Sequence, residues 1–407
     1  MNINTVRMLD RYFGVPLCLC GTLVKKFLPF LFAVQRDAKP RNILIIELSE
    51  MGSTILADPA MQKLKRNLNA NLYFAIFRSN SGSLDLLDTI PRDNIFRMRD
   101  SGILAVVMDV IRFLFWTRKH RIDTVIDLEL FSRFTALLTG FSGAARTVGF
   151  HAFHSEGLYR GDFLTHKVAY NPHQHMAKNF IALVNALLSD RKEIPYSKTV
   201  IPDEEMSLRT VAVSEQAKQE MRRKIAEAYP AFDPQQHRIV LFNTNASDLV
   251  PLRRWPQEHF VRLAGMVLER YSRVIILLTG DRSEREGKDD IVQAVNSVRC
   301  VNFAGATAIA ELPALYTMSD LMLSNDSGPA QFAAVTTMPV FVLFGPETPD
   351  LYGPLGAMTP IYAGLACSPC ISAANHRKTV CDDNVCLKVI TPEKVLQILK
   401  ASLDGRT

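Results

Sequence analysis

The densest chemistry in the chain lies in Asn325-Asp326-Ser327-Gly328-Pro329-Ala330-Gln331, after an apolar run and before a helical pattern. Asp326 or Ser327 can cap that helix, and Pro329 suits its first turn. Gly328 lets a ligand approach the backbone. The unpaired N–H groups and dipole at such a helix start attract phosphate. A plain capped turn would read the same way, so neighbouring segments must decide. Thr244 lies in the polar 242–246 segment, and Arg253 and Arg254 come just before the next helix. Glu284 closes the 279–284 segment, and 344–349 follows a further strand. Arg253 or Arg254 can neutralise a diphosphate through a bidentate contact. A carboxylate such as Glu284 can accept ribose hydroxyls. Each signal is weak singly. Gathered at one sheet edge, they describe a sugar-nucleotide pocket.

In the first half, Glu50-Met51-Gly52-Ser53 follows an apolar run, and Asn171-Pro172-His173-Gln174-His175 precedes a helix. His175 can touch an acceptor phosphate or assist as a base; capping is the plainer role. Cys367-x2-Cys370-x10-Cys381-x4-Cys386 has metal-like spacing, and four thiolates can hold zinc tetrahedrally. Two disulfides, or reduced thiols in a loop, are the competing readings. A cytoplasmic setting disfavours disulfides, and an odd total of seven cysteines cannot pair fully within one chain.

These residues need a scaffold that puts strand ends together. Segment 42–48 is apolar on both faces, the pattern of a strand in a parallel sheet. Helix over 54–67, strand 72–77, helix 103–118, strand 124–128, helix 133–141, strand 147–150 and helix 177–188 follow. The stretch 201–237 is charged and lacks an apolar strand, so it reads as interdomain. The alternation restarts with strand 238–242, helix 256–271, strand 273–279, helix 285–297 and strand 300–303. Helix 308–317, strand 321–324, helix 329–337, strand 340–344 and a closing helix over 391–403 complete it. This order predicts an α/β chain with two parallel sheets, 37–200 and 238–390, and a terminal helix in 391–407. Ligands are expected in a cleft at the carboxyl ends of the strands.

Composition narrows the partners. The 407 residues are 48% apolar and 22% charged, which excludes disorder and a polar coiled coil. Net charge is +6, too weak to imply nucleic acid. Four of those charges fall in residues 1–36, where Arg7, Arg11, Lys25, Lys26 and Arg36 face a single Asp10. The same stretch holds two apolar runs, 12–24 and 27–34, interrupted by Pro16 and Pro29. Neither reaches the ~18–20 residues of a spanning helix, and the pair fits a signal peptide poorly. A membrane-interface segment is the expectation, with lysines at anionic headgroups. A helix packed on the protein's own core is the alternative.

Asn325-Asp326-Ser327-Gly328-Pro329, with Phe344-Gly345-Pro346-Glu347-Thr348-Pro349-Asp350-Leu351-Tyr352-Gly353-Pro354, resembles the donor-site signature of family 9 glycosyltransferases, the lipopolysaccharide heptosyltransferases. Segment 45–60, Val125-Ile126-Asp127-Leu128, Arg146-Thr147-Val148-Gly149-Phe150 and the cysteine-containing tail are also similar, so the resemblance runs from about 41 to 400. It implies a GT-B fold of two Rossmann-like domains, acceptor side first and donor side second. It also implies metal-independent, inverting transfer of a heptose or related sugar, with no cofactor beyond an ADP-heptose-like donor. The acceptor would be a lipid-linked saccharide, and the setting the cytoplasmic face of the inner membrane, as a peripheral protein.

Residue by residue, Asp326, Ser327 and Gly328 match the family, and Arg253 stands where it has a diphosphate-binding lysine. Two positions depart. The family's Gly-Asp turn, whose aspartate is its candidate base, reads Gly52-Ser53 here, and an unassisted serine is no base near neutral pH. Glu50, three residues earlier, is the substitute. Gln331 replaces a family histidine and can donate a hydrogen bond without carrying charge. A nucleotide-sugar-binding pseudoenzyme that lacks a base is the alternative that these departures raise.

Overall fold

The computed structural model describes residues 3–27, 39–153, 159–373, 375 and 377–405. The chain divides into two compact units, Met1–Ser207 and Leu208–Thr407. The division falls inside the charged stretch 201–237. Lys63 on the first unit pairs with Glu205 at 2.6 Å, while the Val211 N–H donates to the Val335 carbonyl of the second.

The first unit runs α1 (Ile3–Phe27), β1 (Asn42–Ile46), α2 (Met51–Asn67), β2 (Asn71–Phe77), α3 (Gly82–Leu87), β3 (Ile95–Met98), α4 (Ile103–Lys119), β4 (Thr124–Asp127), α5 (Arg133–Phe141), β5 (Arg146–Phe150), β6 (His166–Val168) and α6 (Met176–Leu188). Its six parallel strands lie in the order β3-β2-β1-β4-β5-β6. Ile43, Leu44, Ile45 and Ile46 are buried on both faces because helices cover both sides of the sheet. Leu44, Ile46, Phe113, Val125 and Leu138 form the core between β1, β4, α4 and α5.

The second unit runs α7 (Glu215–Ala228), β7 (Arg238–Asn243), α8 (Gln257–Arg270), β8 (Val274–Thr279), α9 (Arg285–Val295), β9 (Cys300–Asn302), α10 (Leu312–Met318), β10 (Leu321–Asn325), α11 (Gly328–Ala333), β11 (Val340–Phe344), α12 (Pro349–Tyr352), β12 (Met358–Tyr362), α13 (Val385–Lys388) and α14 (Pro392–Asp404). Its parallel order is β12-β11-β10-β7-β8-β9. Counted from each unit's own first strand, the two sheets have one topology. The order of strand addition reverses beside the first strand of each, between β1 and β4 and between β7 and β10. Open α/β sheets bind ligands outside the strand ends at such points.

The amino-terminal segment differs from the expected broken pair of apolar runs. One helix passes through Pro16, whose missing N–H falls on the exposed side. Asp10, Gly14, Cys18 and Gly21 sit three or four residues apart and turn to the protein. Asp10 pairs with Arg133 at 3.0 Å, and Cys18 packs with Ala136 and Phe163. The glycines permit that approach: a Cβ on Gly14 would lie 2.6 Å from the Arg133 Cδ, and one on Gly21 2.9 Å from the Phe163 ring. So one face of the segment is packed on the protein's own core, and burial pushes the Cys18 thiol up to about 11. Among the described residues no helix is long and apolar enough to cross a membrane. Most of the second apolar run, 28–34, lies outside the described residues.

Candidate functional site

In the second unit, β7, β8 and β10 end in register, Asn243 opposite Thr279 and beside Ser324. The buried Asn243 amide donates to Ser324 Oγ at 3.0 Å and to Ser327 Oγ at 2.8 Å, tying the two loops across the switch point. Ser327 occupies the cap position of α11 with extended backbone, yet its side chain makes no cap bond to the helix. Its hydroxyl is turned to Asn243 and to the Asn325 carbonyl instead. The expected helix over 329–337 is only the six-residue α11, so its dipole is small. Attraction for an anion must come mainly from side chains.

Arg253 supplies one. It ends a 3₁₀ turn, Pro251–Arg253, fixed by the residues behind it. The Trp255 N–H donates to Asn325 Oδ1 at 2.9 Å, and the buried Trp255 indole donates to the Ile390 carbonyl at 2.8 Å. Arg253 Nη1 thereby lies 3.4 Å from Asp326 Oδ2, both side chains nearly buried. Arg253 Nε and Asn325 Nδ2 are buried donors without a hydrogen-bond partner among the described residues. Such donors are costly unless something accepts from them.

Thr244 and Glu284 come together through Lys288, which sequence reasoning missed. Its ammonium donates to Thr244 Oγ1 at 2.6 Å and stands 3.2 Å from Glu284 Oε2. Burial pulls the Lys288 ammonium below its ordinary value, with Glu284 opposing. The sequence signal was a lysine one turn after Glu284, in the polar first half of α9. Gly280 makes room for the group, since a Cβ there would lie 2.3 Å from Glu284 Oε2. Gly328 has no such need; its added Cβ would make ordinary contact with Phe332. Gln331 is not turned to this group: its amide donates to the Tyr352 carbonyl at 2.7 Å, linking α11 to α12.

In the first unit, Glu50 occupies the cap position of α2 but accepts no cap bond from the helix backbone. The Ser53 hydroxyl donates to Glu50 Oε2 at 2.8 Å, while Gly52 lies in the same first turn. A further carboxylate, Glu129, meets this turn from just past the end of β4. Glu129 Oε1 accepts from the Leu48 and Ser49 N–H groups, each at 3.1 Å, and from Ser49 Oγ at 2.6 Å. Burial pushes Glu129 above the usual carboxylate range, and the nearby Asp127 and Glu50 charges add to this. Asp127 is fully buried and paired with Arg160; burial raises it and the guanidinium opposes. A cavity of about 330 Å³ opens beside that pair, lined also by Phe150, His151, Phe163 and Lys167. His175 is elsewhere in role: its Nδ1 accepts from the Ala177 N–H at 3.2 Å, capping α6.

Zinc is one of three readings of the cysteine set, and the structure does not support it. All seven cysteines are free, and among the described residues no three His, Cys, Asp or Glu side chains converge on a metal position. Cys381 Sγ donates to the Asp383 carbonyl, Cys370 Sγ accepts from Thr379, and Cys386 is buried on α13 beside Gly345. Cys367 is exposed.

The family model for glycosyltransferase family 9 (heptosyltransferase) matches residues 116–380, well over half of the chain. Lipopolysaccharide heptosyltransferase 2 of Escherichia coli (strain K12) is 27% identical over 160 residues, 38% of this chain and 43% of that protein. The chain spans about half the length of the curated relatives it matches. The solved E. coli ADP-heptose lps heptosyltransferase II superposes with a TM-score of 0.67 at 20% identity, over 89% of this chain and 99% of the other. The family 9 glycosyltransferase of Veillonella parvula DSM 2008 gives 0.66 at 19% identity, over 92% and 99%. Those likenesses show the fold, two parallel-sheet α/β units as in GT-B proteins. With its loops at both switch points and its match to the family model, the chain belongs to glycosyltransferase family 9, the heptosyltransferase family.

Proposed function

We propose that the protein transfers a heptose or related sugar from an ADP-heptose-like donor to a lipid-linked saccharide in lipopolysaccharide core assembly, with inversion and without a metal. The observation that carries this is the pair of buried, unpartnered donors, Arg253 Nε and Asn325 Nδ2, at the switch point of the second unit. A diphosphate's oxygens would satisfy both. The α11 N–H groups, left uncapped by Ser327, add further donors. Glu284, steadied by Lys288, suits ribose hydroxyls. Arg253 takes up the negative charge that grows on the leaving diphosphate, a charge larger in the transition state than in the donor.

Glu50 is the general base. Ser53 donates to one carboxylate oxygen and so orients the carboxylate at the head of α2. As that hydroxyl's proton passes to Glu50, its oxygen bonds the anomeric carbon from the face opposite the diphosphate. The bond to the diphosphate breaks, and the centre inverts. The family's acidic residue is thus replaced by a carboxylate from one turn earlier with the serine as its support. The acceptor is lipid-linked, so work at the cytoplasmic side of the inner membrane, held peripherally through residues 1–36, completes the reading.

The test is a transfer assay with ADP-heptose, other nucleotide sugars and a lipid-linked core acceptor, beside ADP binding by calorimetry. Wild type should transfer. Glu50→Gln should lose about 10²–10⁴-fold in turnover with ADP affinity retained. Full activity in that variant removes Glu50 as base. Binding of ADP with no transfer from any donor establishes the pseudoenzyme reading instead.

A further inference from the structure

Helix α4 is apolar on its outward face as well as on the face it packs against the core. Phe113, Asp109 and Thr117 are buried against the sheet. The outward face carries Leu104, Val107, Met108, Ile111 and Phe115, with Leu104 80% and Phe115 73% exposed. These residues follow the three- and four-residue spacing of one helical stripe. Its outward charges are all basic: Arg112, Arg118 and Lys119. The helix's one acidic residue, Asp109, is fully buried and held by Arg99 and Arg112.

Helix α1 shows the same arrangement. Its inner face is packed on α5, while Tyr12, Val15, Leu19, Leu23 and Phe27 face outward with Lys26. Both helices reach the carboxyl end of α5. Arg118 of α4 donates to the Phe141 and Ser142 carbonyls at the end of α5, each at 3.0 Å. Gly21 of α1 lies against the ring of that same Phe141, so close that an added Cβ would be 3.2 Å away.

We infer that the outward face of α4 joins that of α1 to form one docking surface for a bilayer containing anionic lipid. Among the described outward residues of both helices there is no acidic side chain. Aliphatic and aromatic groups bordered by cations match an acyl boundary topped by anionic headgroups. A second copy of this chain fits less well, since it would bring like charges together. So large a run of exposed apolar side chains on one helix marks an interaction surface. This deepens the proposal for residues 1–36 and rests on it only for α1; α4 stands on its own stripe.

The test uses the full chain and sedimentation with vesicles of phosphatidylglycerol and phosphatidylethanolamine, with phosphatidylcholine vesicles as comparison. The α4 variant carries Leu104→Ser, Met108→Ser, Ile111→Ser and Phe115→Ser, all outward changes. An α1 variant carries Tyr12→Ser, Leu19→Ser and Leu23→Ser. ADP affinity and the thermal midpoint check that each variant is folded. We expect wild type to prefer the anionic vesicles and the α4 variant to bind them at least about tenfold more weakly. In Phe115→Trp, emission should shift blue on anionic vesicles and be quenched by brominated acyl chains. Wild-type-like vesicle binding by the α4 variant overturns the inference; if the α1 variant alone loses binding, the reading of residues 1–36 survives without it. Absence of vesicle binding by wild type overturns both. A wild-type dimer that the α4 changes render monomeric, with no vesicle binding, assigns the face to a second copy and also overturns the inference.

Discussion

Replacing Arg253 by alanine probes the donor site through two separable losses. The guanidinium stands 3.4 Å from the Asp326 carboxylate, and both side chains are nearly buried. At an effective dielectric near 20 that separation corresponds to about 5 kcal/mol of gross attraction, before desolvation is subtracted. Most of that gross figure is spent on desolvation. Asp326 also retains other interactions when Arg253 is gone. A stability loss of about 1–3 kcal/mol is therefore expected, measured by urea unfolding. The loss in ligand binding is a different quantity. A hydrogen bond to a charged group contributes about 1.5–3 kcal/mol, and each 1.4 kcal/mol is about tenfold in affinity. ADP should then bind roughly 10- to 150-fold more weakly to Arg253→Ala. AMP should be affected less if the guanidinium meets the terminal phosphate. Arg253→Lys keeps the charge but not the forked geometry and should fall between. Titration calorimetry with ADP and AMP reads both. A folded Arg253→Ala protein whose ADP affinity stays within about twofold of wild type would refute the placement of the diphosphate at this arginine.

Glu129→Gln tests the half-buried carboxylate behind the Glu50 turn. Native Glu129 holds its proton more tightly than in the unfolded chain, mainly through burial. Its contribution to stability is therefore favourable at low pH and declines as pH rises from the ordinary carboxylate value through the raised native one. Glutamine keeps an oxygen for the Leu48 and Ser49 N–H groups but cannot ionise. The stability of the variant relative to wild type should climb with pH across that window, and a flat or falling difference would show the sign to be wrong. Gly280→Ala pushes a Cβ to 2.3 Å from Glu284 Oε2, the end of a movable side chain. Unfolding stability should change by less than about 1 kcal/mol, while ADP affinity should drop several-fold; unchanged affinity would take Glu284 away from the ribose.

The alternation of strands and helices was legible because central parallel strands are apolar on both faces, as in Ile43-Leu44-Ile45-Ile46. The strands that escaped notice, β3, β6 and β12, lie at sheet edges, where one side lacks a strand partner and residues such as Arg97, His166 and Thr359 are tolerated. Continuity of α1 through Pro16 was hidden for a similar reason, because the lost backbone bond matters little on an exposed side. The Asp326-Ser327-Gly328 loop and Arg253 were found by residue type and order. Glu129 was not, since Asp127-Leu128-Glu129-Leu130 reads as the end of a strand; only the pairing of β1 with β4 sets it against the Ser49 turn. Gln331 and His175 show the converse. The type of Gln331 suggested a ligand contact and the nearest backbone group claimed it first, while His175 takes the capping role that was its plainer reading.

The shared strand order of the two sheets has an electrostatic consequence. The same topological address carries Glu50, Asp127 and Glu129 with Arg160 in the first unit, and Arg253 and Lys288 with Asp326 and Glu284 in the second. A fold that repeats itself offers a polyanionic ligand two equivalent seats, and backbone geometry alone would not tell them apart. Under the proposed function, loop side chains break that degeneracy: Glu50 and Glu129, added to the Asp127–Arg160 pair, would disfavour a diphosphate at the first seat, and Arg253 would favour it at the second. Partitioning of the two substrates then requires no gate or moving part, only opposite signs written into loops that a duplicated scaffold would otherwise leave alike.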